Sequence, residues 1–372
     1  MARLGLGTHW KCVFANEWCE KKARAYQDHF GRGEPRKSGE LVISDVANLT
    51  TQDVPGHADL AWASFPCQDL SLAGAGAGLK GERSGTFTPF WKLMEGLVKE
   101  GRGPQIIVLE NVAGAITSHG GKDFRQIVGQ VSGAGYRVGA MVIDALRFLP
   151  QSRPRLFIVG AADRLGIPSD ATHAGPTGWH PGALKQAYEN LPGDLQRNWV
   201  WWNLPEPPDM TAKLSDVIED KPSGVTWHSL EHTRYLISLM SDLNRRKLDA
   251  AKASGRRRVG TIYRRTRPNE DGEKQQRAEV RFDDVAGCLR TPVGGSSRQT
   301  VILVEGNKVR SRLLAPREAA RLMGVPENYP MPDNYNEAYH LFGDGLAVPA
   351  VSWLNDHLLL RLAEAREQQA AA

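Results

Sequence analysis

Three short segments carry residue types that could do chemistry together. Phe65-Pro66-Cys67-Gln68 places a thiol behind a proline and ahead of a glycine-rich run, Ala73-Gly74-Ala75-Gly76-Ala77-Gly78. Glu110-Asn111-Val112 follows the apolar run Ile106-Ile107-Val108-Leu109, and Gln151-Ser152-Arg153-Pro154-Arg155 sets two guanidinium groups beside a proline ahead of Leu156-Phe157-Ile158-Val159. A thiolate is a nucleophile, a carboxyl group moves or holds a proton, and arginine grips anions. Each segment also has a plainer reading. A lone cysteine is commonly an inert buried group, a strand-end carboxylate a cap, and an arginine pair a solvated surface. A phosphate cradle competes for Gly74-x-Gly76-x-Gly78, but that run lacks the Lys-Ser/Thr ending such loops use.

The elements that must position these residues alternate in type as far as about residue 165. Residues 13–15, 41–43 and 60–63 read as short strands, with a helix ending near Phe30. The wholly apolar runs at 106–109 and 156–159 read as strands buried on both faces, so the pattern predicts a parallel, doubly wound α/β sheet. In such sheets reactive groups sit where strands end, which is where all three segments fall. From Gly166 to about residue 285 the chain turns rich in Pro, Trp and charge, with Trp199, Trp201 and Trp202 close together; it reads as a smaller inserted domain. Helical patterning returns at residues 316–323, where proline opens the first turn, and again from Val351 to about Arg366.

Composition narrows the partners. The 372 residues can bury a large core, and no apolar run approaches the roughly 18–20 residues needed to span a bilayer, so no membrane role and a cytoplasmic protein are expected. Cys12, Cys19, Cys67 and Cys288 form no CxxC pair, which excludes a disulfide framework and a cysteine-rich metal site; no metal is expected. The net charge of +5 is compatible with a polyanion. Its distribution is more informative: Arg245-Arg246-Lys247, Arg256-Arg257-Arg258, then Arg264-Arg265 and Arg267 around Tyr263 form a basic stretch, read either as a solvated surface or as phosphate contact.

Taken in order, the three segments resemble the signature of the DNA cytosine-5 methyltransferase family, whose Pro-Cys, Glu-Asn-Val and Gln-x-Arg-x-Arg motifs match residues 66–67, 110–112 and 151–155. Two later motifs match as well: Arg312-Leu313-Leu314-Ala315-Pro316-Arg317-Glu318-Ala319-Ala320-Arg321-Leu322 and Gly343-Asp344-Gly345-Leu346-Ala347-Val348-Pro349. The resemblance implies a Rossmann-like, S-adenosylmethionine-dependent methyltransferase sheet over residues 1–165, an inserted target-recognition region over 166–300, and a return to the catalytic domain over 301–372. It also implies a monomer acting on double-stranded DNA in a bacterial or phage restriction-modification setting, with a cognate restriction endonuclease as possible partner.

What the resemblance assigns makes chemical sense. Cytosine C5 is a poor nucleophile until something adds at C6, and Cys67 is given that role; only about 3% of an unperturbed thiol is ionised at pH 7, so the site must favour the thiolate. Glu110 would hydrogen-bond or protonate N3, while Arg153 and Arg155 hold the base or its phosphate. The target base would leave the stack to reach them, with residues 73–85 closing over it. Cofactor contacts are assigned to Glu17 at the ribose, Trp18 against the adenine, Asp45 at the exocyclic amine, and Pro66, Asp344, Ala347 and Val348. Asp344 departs from the family, which usually has Gly-Asn at that step.

Two rivals stay open: an RNA cytosine-5 methyltransferase with the same catalytic set, and an N-terminally truncated, inactive DNA-binding relative. The second arises because residues 1–7 resemble the helix that normally follows the family's first strand and Phe-x-Gly-x-Gly loop, so that strand and loop are expected upstream of Met1.

Overall fold

The computed structural model describes residues 1–31, 40–65, 87–268, 272–291 and 298–371. Pro66, Cys67 and the loop at 73–85 lie outside the described residues, as do residues 292–297. The chain divides into two compact units. One comprises Gly5–Asp144, Pro154–Pro207 and Val351–Ala372; the other comprises Met1–Leu4, Ala145–Arg153 and Pro208–Ala350.

In the first unit β1 (Ala15–Glu17) and β2 (Leu41–Ile43) pair in parallel. Strands β3 (Leu60–Ser64), β4 (Ile106–Val112), β5 (Tyr136–Asp144) and β6 (Pro154–Ala162) form a sheet in the order β3-β4-β6-β5. The β3–β4 ladder is parallel, as the sequence implies, but β6 runs antiparallel to both β4 and β5, so the sheet is mixed rather than parallel. Chain length explains this: residues 145–153 are too few for the crossover a parallel neighbour needs, which takes a dozen residues or more. The strand placed at 13–15 begins at Ala15, and Glu110 lies within β4 rather than after it.

Apolar content follows the pairing. Strand β4, flanked on both sides, is buried from Ile106 to Asn111. Strand β3 has one ladder among the described residues and stays half-exposed. Helices Phe87–Lys99 and Lys122–Gly133 lay Trp91, Leu97, Phe124, Ile127 and Val131 into one cluster with Ile107, Leu109, Val138 and Ile158. Burying such side chains stabilises by about 1.5–3 kcal/mol each.

The tryptophan-rich run belongs to this unit rather than to an inserted domain. β7 (Thr172–His173) and β8 (Trp201–Trp202) pair antiparallel, Val200 N donates to Val138 O at 2.8 Å, and the Trp202 indole donates to Val159 O at 3.2 Å. Gly139 permits this approach, since a Cβ there would fall 1.9 Å from Val200 O. Composition therefore marks a boundary at 166, while the chain stays with the sheet until Pro207.

The second unit is built on an antiparallel sheet, β9 (Arg257–Pro268), β10 (Lys274–Arg281), β11 (Thr300–Glu305) and β12 (Lys308–Leu313), in the order β10-β9-β11-β12. Helices Leu230–Ser238 and Asp242–Ala253, with Met240 between them, pack Leu236, Met240 and Leu248 against Ile262, Ala278, Val280 and Ile302 on one face. On the other face Val259, Val301 and Leu303 join Leu314, Ala319, Leu322 and Phe342. The start at Pro316 is as read from sequence, with the helix running Pro316–Leu322. Among the described residues no helix is long and apolar enough to cross a membrane, and no cluster of side chains could hold a metal ion.

Candidate active site

Strand register brings two of the sequence candidates together. Glu110 lies opposite Phe157, and Arg155 opposite Val112, so Glu110 and Arg155 are diagonal neighbours on one face of the β4–β6 ladder. Arg155 Nε stands 3.2 Å from Glu110 Oε1, and both side chains are largely buried. A carboxylate taken out of water needs such a partner, because an unpaired buried charge costs several kcal/mol.

The same strand also holds the end of β3. Ser64 pairs with Glu110 across the β3–β4 ladder, and the next residue, Phe65, has its carbonyl held by Asn111 Nδ2 at 3.4 Å. The Asn111 amide oxygen accepts from Val112 N at 2.9 Å, which fixes the amide's orientation. The chain thus leaves β3 toward Pro66-Cys67 from a point anchored beside Glu110. Sequence reasoning quoted Asn111 within its motif and gave it no role; its only signal there was its place next to Glu110.

Arg153 is not brought to this pair. It belongs to the other unit and is 1% exposed. Its guanidinium donates to three backbone carbonyls: Leu289 at 2.7 Å, Gly343 at 2.8 Å and Gly345 at 2.6 Å, with Cys288 Sγ at 3.3 Å. Five fixed donors on a planar group suit it to holding several chain segments at once. Gln151, fully buried, adds to this by donating to Leu322 O and accepting from Leu289 N at 3.2 Å.

The residues assigned to the nucleoside end of the cofactor gather past the C-terminal ends of the parallel pair β1–β2. Glu17 pairs with Ile43 in register, and its Oε1 accepts from Cys19 N at 2.9 Å, leaving Oε2 for other partners. Asp45 is exposed and uses Oδ1 to cap a short 3-10 turn through Ala47 N at 2.9 Å. Trp18 is 74% exposed. An indole that open to water, at the end of the strand pair that also carries the Glu17 and Asp45 carboxylates, suits a flat heteroaromatic ring carrying hydroxyl and amine donors. Asp344, Ala347 and Val348 lie in the other unit: Asp344 is exposed and accepts from the Thr291 hydroxyl, Ala347 is buried, and Val348 N donates to Met323 O at 2.8 Å.

Sequence reasoning also missed an ion pair with no exposure on either side chain, Arg312 with Glu318. Glu318 accepts twice from Arg312, at 2.6 and 2.8 Å, and from Ala315 N and Glu219 N; Arg312 donates onward to Glu219 O. Both carboxylate oxygens and both terminal nitrogens of the pair find partners, which is what makes a buried charge pair tolerable, while Arg312 Nε has none among the described residues. The signal present in the sequence was a glutamate in the first turn of a proline-started helix.

Comparison with known proteins gives a consistent picture. The family model described as C-5 cytosine-specific DNA methylase matches residues 2–359. The chain is 27% identical over 351 residues to the type II methyltransferase M1.ScrFI of Lactococcus lactis subsp. cremoris, covering 94% of this chain and 72% of that protein. It is 27% identical to M.DsaV of Dactylococcopsis salina, covering 94% and 80% respectively. Among solved structures, a substituted form of DNMT2 from Spodoptera frugiperda superposes with a TM-score of 0.56 at 15% identity, covering 96% of this chain and 94% of that one. A putative DNA modification methyltransferase encoded within an E. coli prophage gives 0.54 at 14% identity, covering 98% and 95%. At such identities the structural likeness establishes the shared α/β fold.

Proposed function

Because the chain belongs to the C-5 cytosine-specific DNA methylase family, and so to the enzyme class DNA (cytosine-5-)-methyltransferase, we propose that it transfers a methyl group from S-adenosylmethionine to C5 of cytosine within one duplex DNA sequence, through a covalent Cys67–C6 bond. The observation that carries this reading is the buried Glu110–Arg155 pair, set on the strand whose Asn111 holds the Phe65 carbonyl.

The Cys67 thiolate adds to C6 of an extruded cytosine, and the electron pair moves toward C5 and N3. Glu110, in its acid form, donates its proton to N3 as negative charge develops there, and Arg155 pairs with the carboxylate that is left. S-adenosylmethionine, when bound, would supply the methyl group that C5 takes, its sulfur leaving with the C–S electron pair as S-adenosylhomocysteine. Loss of the C5 proton to a base then restores the C5–C6 double bond and expels the thiolate. Glu17, Trp18 and Asp45 fit the nucleoside part of that cofactor, and Pro66, Asp344, Ala347 and Val348 are the further contacts the resemblance assigns. Arg153 acts at one remove, holding the turns at Leu289 and at Gly343 and Gly345.

Target recognition is assigned to residues 166–300, of which those from Pro208 on belong to the second unit. The protein works in the cytoplasm as a monomer, beside an endonuclease of the same sequence specificity. Methylation-sensitive sequencing of DNA from cells otherwise free of 5-methylcytosine tests the reading. Expression should place 5-methylcytosine at a single sequence; unmethylated DNA, or methyl groups found in RNA alone, would refute it.

A further inference from the structure

The second unit's sheet does not end evenly. The β9–β11 ladder covers Arg257 to Ile262, whereas the β9–β10 ladder runs on from Thr261 to Pro268. Residues 263–268 and 274–279 therefore overhang as a two-stranded ribbon. Ala278, on the face packed against the helices, lies opposite Arg264, so Tyr263, Arg265, Arg277 and Glu279 share the other face.

That face is crowded with positive charge. Arg265 and Arg277 stand directly opposite one another, a like-charge pairing that disfavours the ladder. Arg265 is matched by Glu279 at 3.3 Å, but Arg277 has no hydrogen-bond or ion-pair partner among the described residues. Two guanidinium groups lie over the Tyr263 ring, Arg265 at 5.4 Å and Arg290 at 5.9 Å from its centroid, and Arg290 is exposed. Two cations thus lie over one aromatic ring, a third stands across the ladder from one of them, and Glu279 is the carboxylate that pairs with Arg265. The positive charge left over on this face is what a polyanion would match.

Resting on the DNA reading above, we infer that this ribbon face, through Arg265, Arg277 and Arg290 about Tyr263, holds the phosphodiester backbone of duplex DNA. The occupant follows from shape and charge: a two-stranded ribbon matches the width of a duplex groove, and its rows of guanidinium groups match the phosphates along the rim. The ribbon turn carries Glu273, so contact falls on the strands rather than the tip.

The test measures binding of the full chain to two duplexes, one bearing the sequence it methylates and one unrelated, over a salt series. Wild type should show a steep salt dependence, and Arg277→Ala with Arg290→Ala should lower the log–log slope by about 0.9 for each cation removed. Both duplexes should weaken by the same factor, with the thermal midpoint and S-adenosylmethionine binding unchanged, and Arg277→Lys should retain the wild-type slope. An unchanged slope in the double variant, with DNA still bound and methylated, would overturn the ribbon's role and leave the DNA reading standing. Weakening confined to the methylated sequence would show base reading and overturn the phosphate role. Failure of wild type to bind either duplex would overturn the DNA reading itself.

Discussion

Glu110 and Arg155 make separable contributions if Glu110 works on the base and Arg155 on Glu110. Glu110→Gln keeps the shape and removes the charge, and is expected to lower kcat by roughly 10²–10⁴-fold while S-adenosylmethionine binds as before. Arg155→Ala should lower kcat less, with partial recovery in Arg155→Lys, because an ammonium restores the charge opposite Glu110 without the fork of donors. Single-turnover rates with calorimetric cofactor affinities check both; a Glu110→Gln enzyme of normal kcat would remove Glu110 from the chemistry. At this scale the sequence was legible in so far as Glu110 and Arg155, both singled out by their motifs, are neighbours in the fold. It was silent where meaning depends on chain-distant partners. Nothing near Arg153 foretells that its guanidinium reaches Leu289, Gly343 and Gly345.

Among the elements, helix Pro316–Leu322 is tied to the second unit by a charge rather than by its apolar face alone. Removing the Glu318 carboxylate strands Arg312 without exposure to water, so Glu318→Ala should destabilise the fold by about 3–5 kcal/mol. Urea unfolding would read this as a lower midpoint; a loss below 1 kcal/mol would mean water reaches the pair. Strands β4 and β6 were readable because both faces are buried and the residues are Ile, Val, Leu and Phe. Strands β9 and β10 were not. Their exposed positions carry arginine, lysine and glutamine, which hide the alternation with Ile262, Ala278 and Val280. The direction of β6 was likewise illegible, since antiparallel pairing follows from the length of the connection and not from the strand's own residues.

Across the whole molecule, the change of composition at 166 marks where the chain stops alternating strand and helix, not where it leaves the sheet unit. Trp199 and Trp202 continue the core of that unit, and the separate unit starts at Pro208. The proposed reaction requires a covalent bond between the chain and its substrate. Duplex DNA carrying 5-fluorocytosine at the methylated position cannot lose a proton from C5, so turnover should stop with Cys67 still attached. Incubation with S-adenosylmethionine should yield a denaturation-resistant protein–DNA adduct whose cross-linked peptide contains Cys67, and Cys67→Ser should give none. An adduct that persists in Cys67→Ser, or one that maps to Cys12, Cys19 or Cys288, would contradict the mechanism.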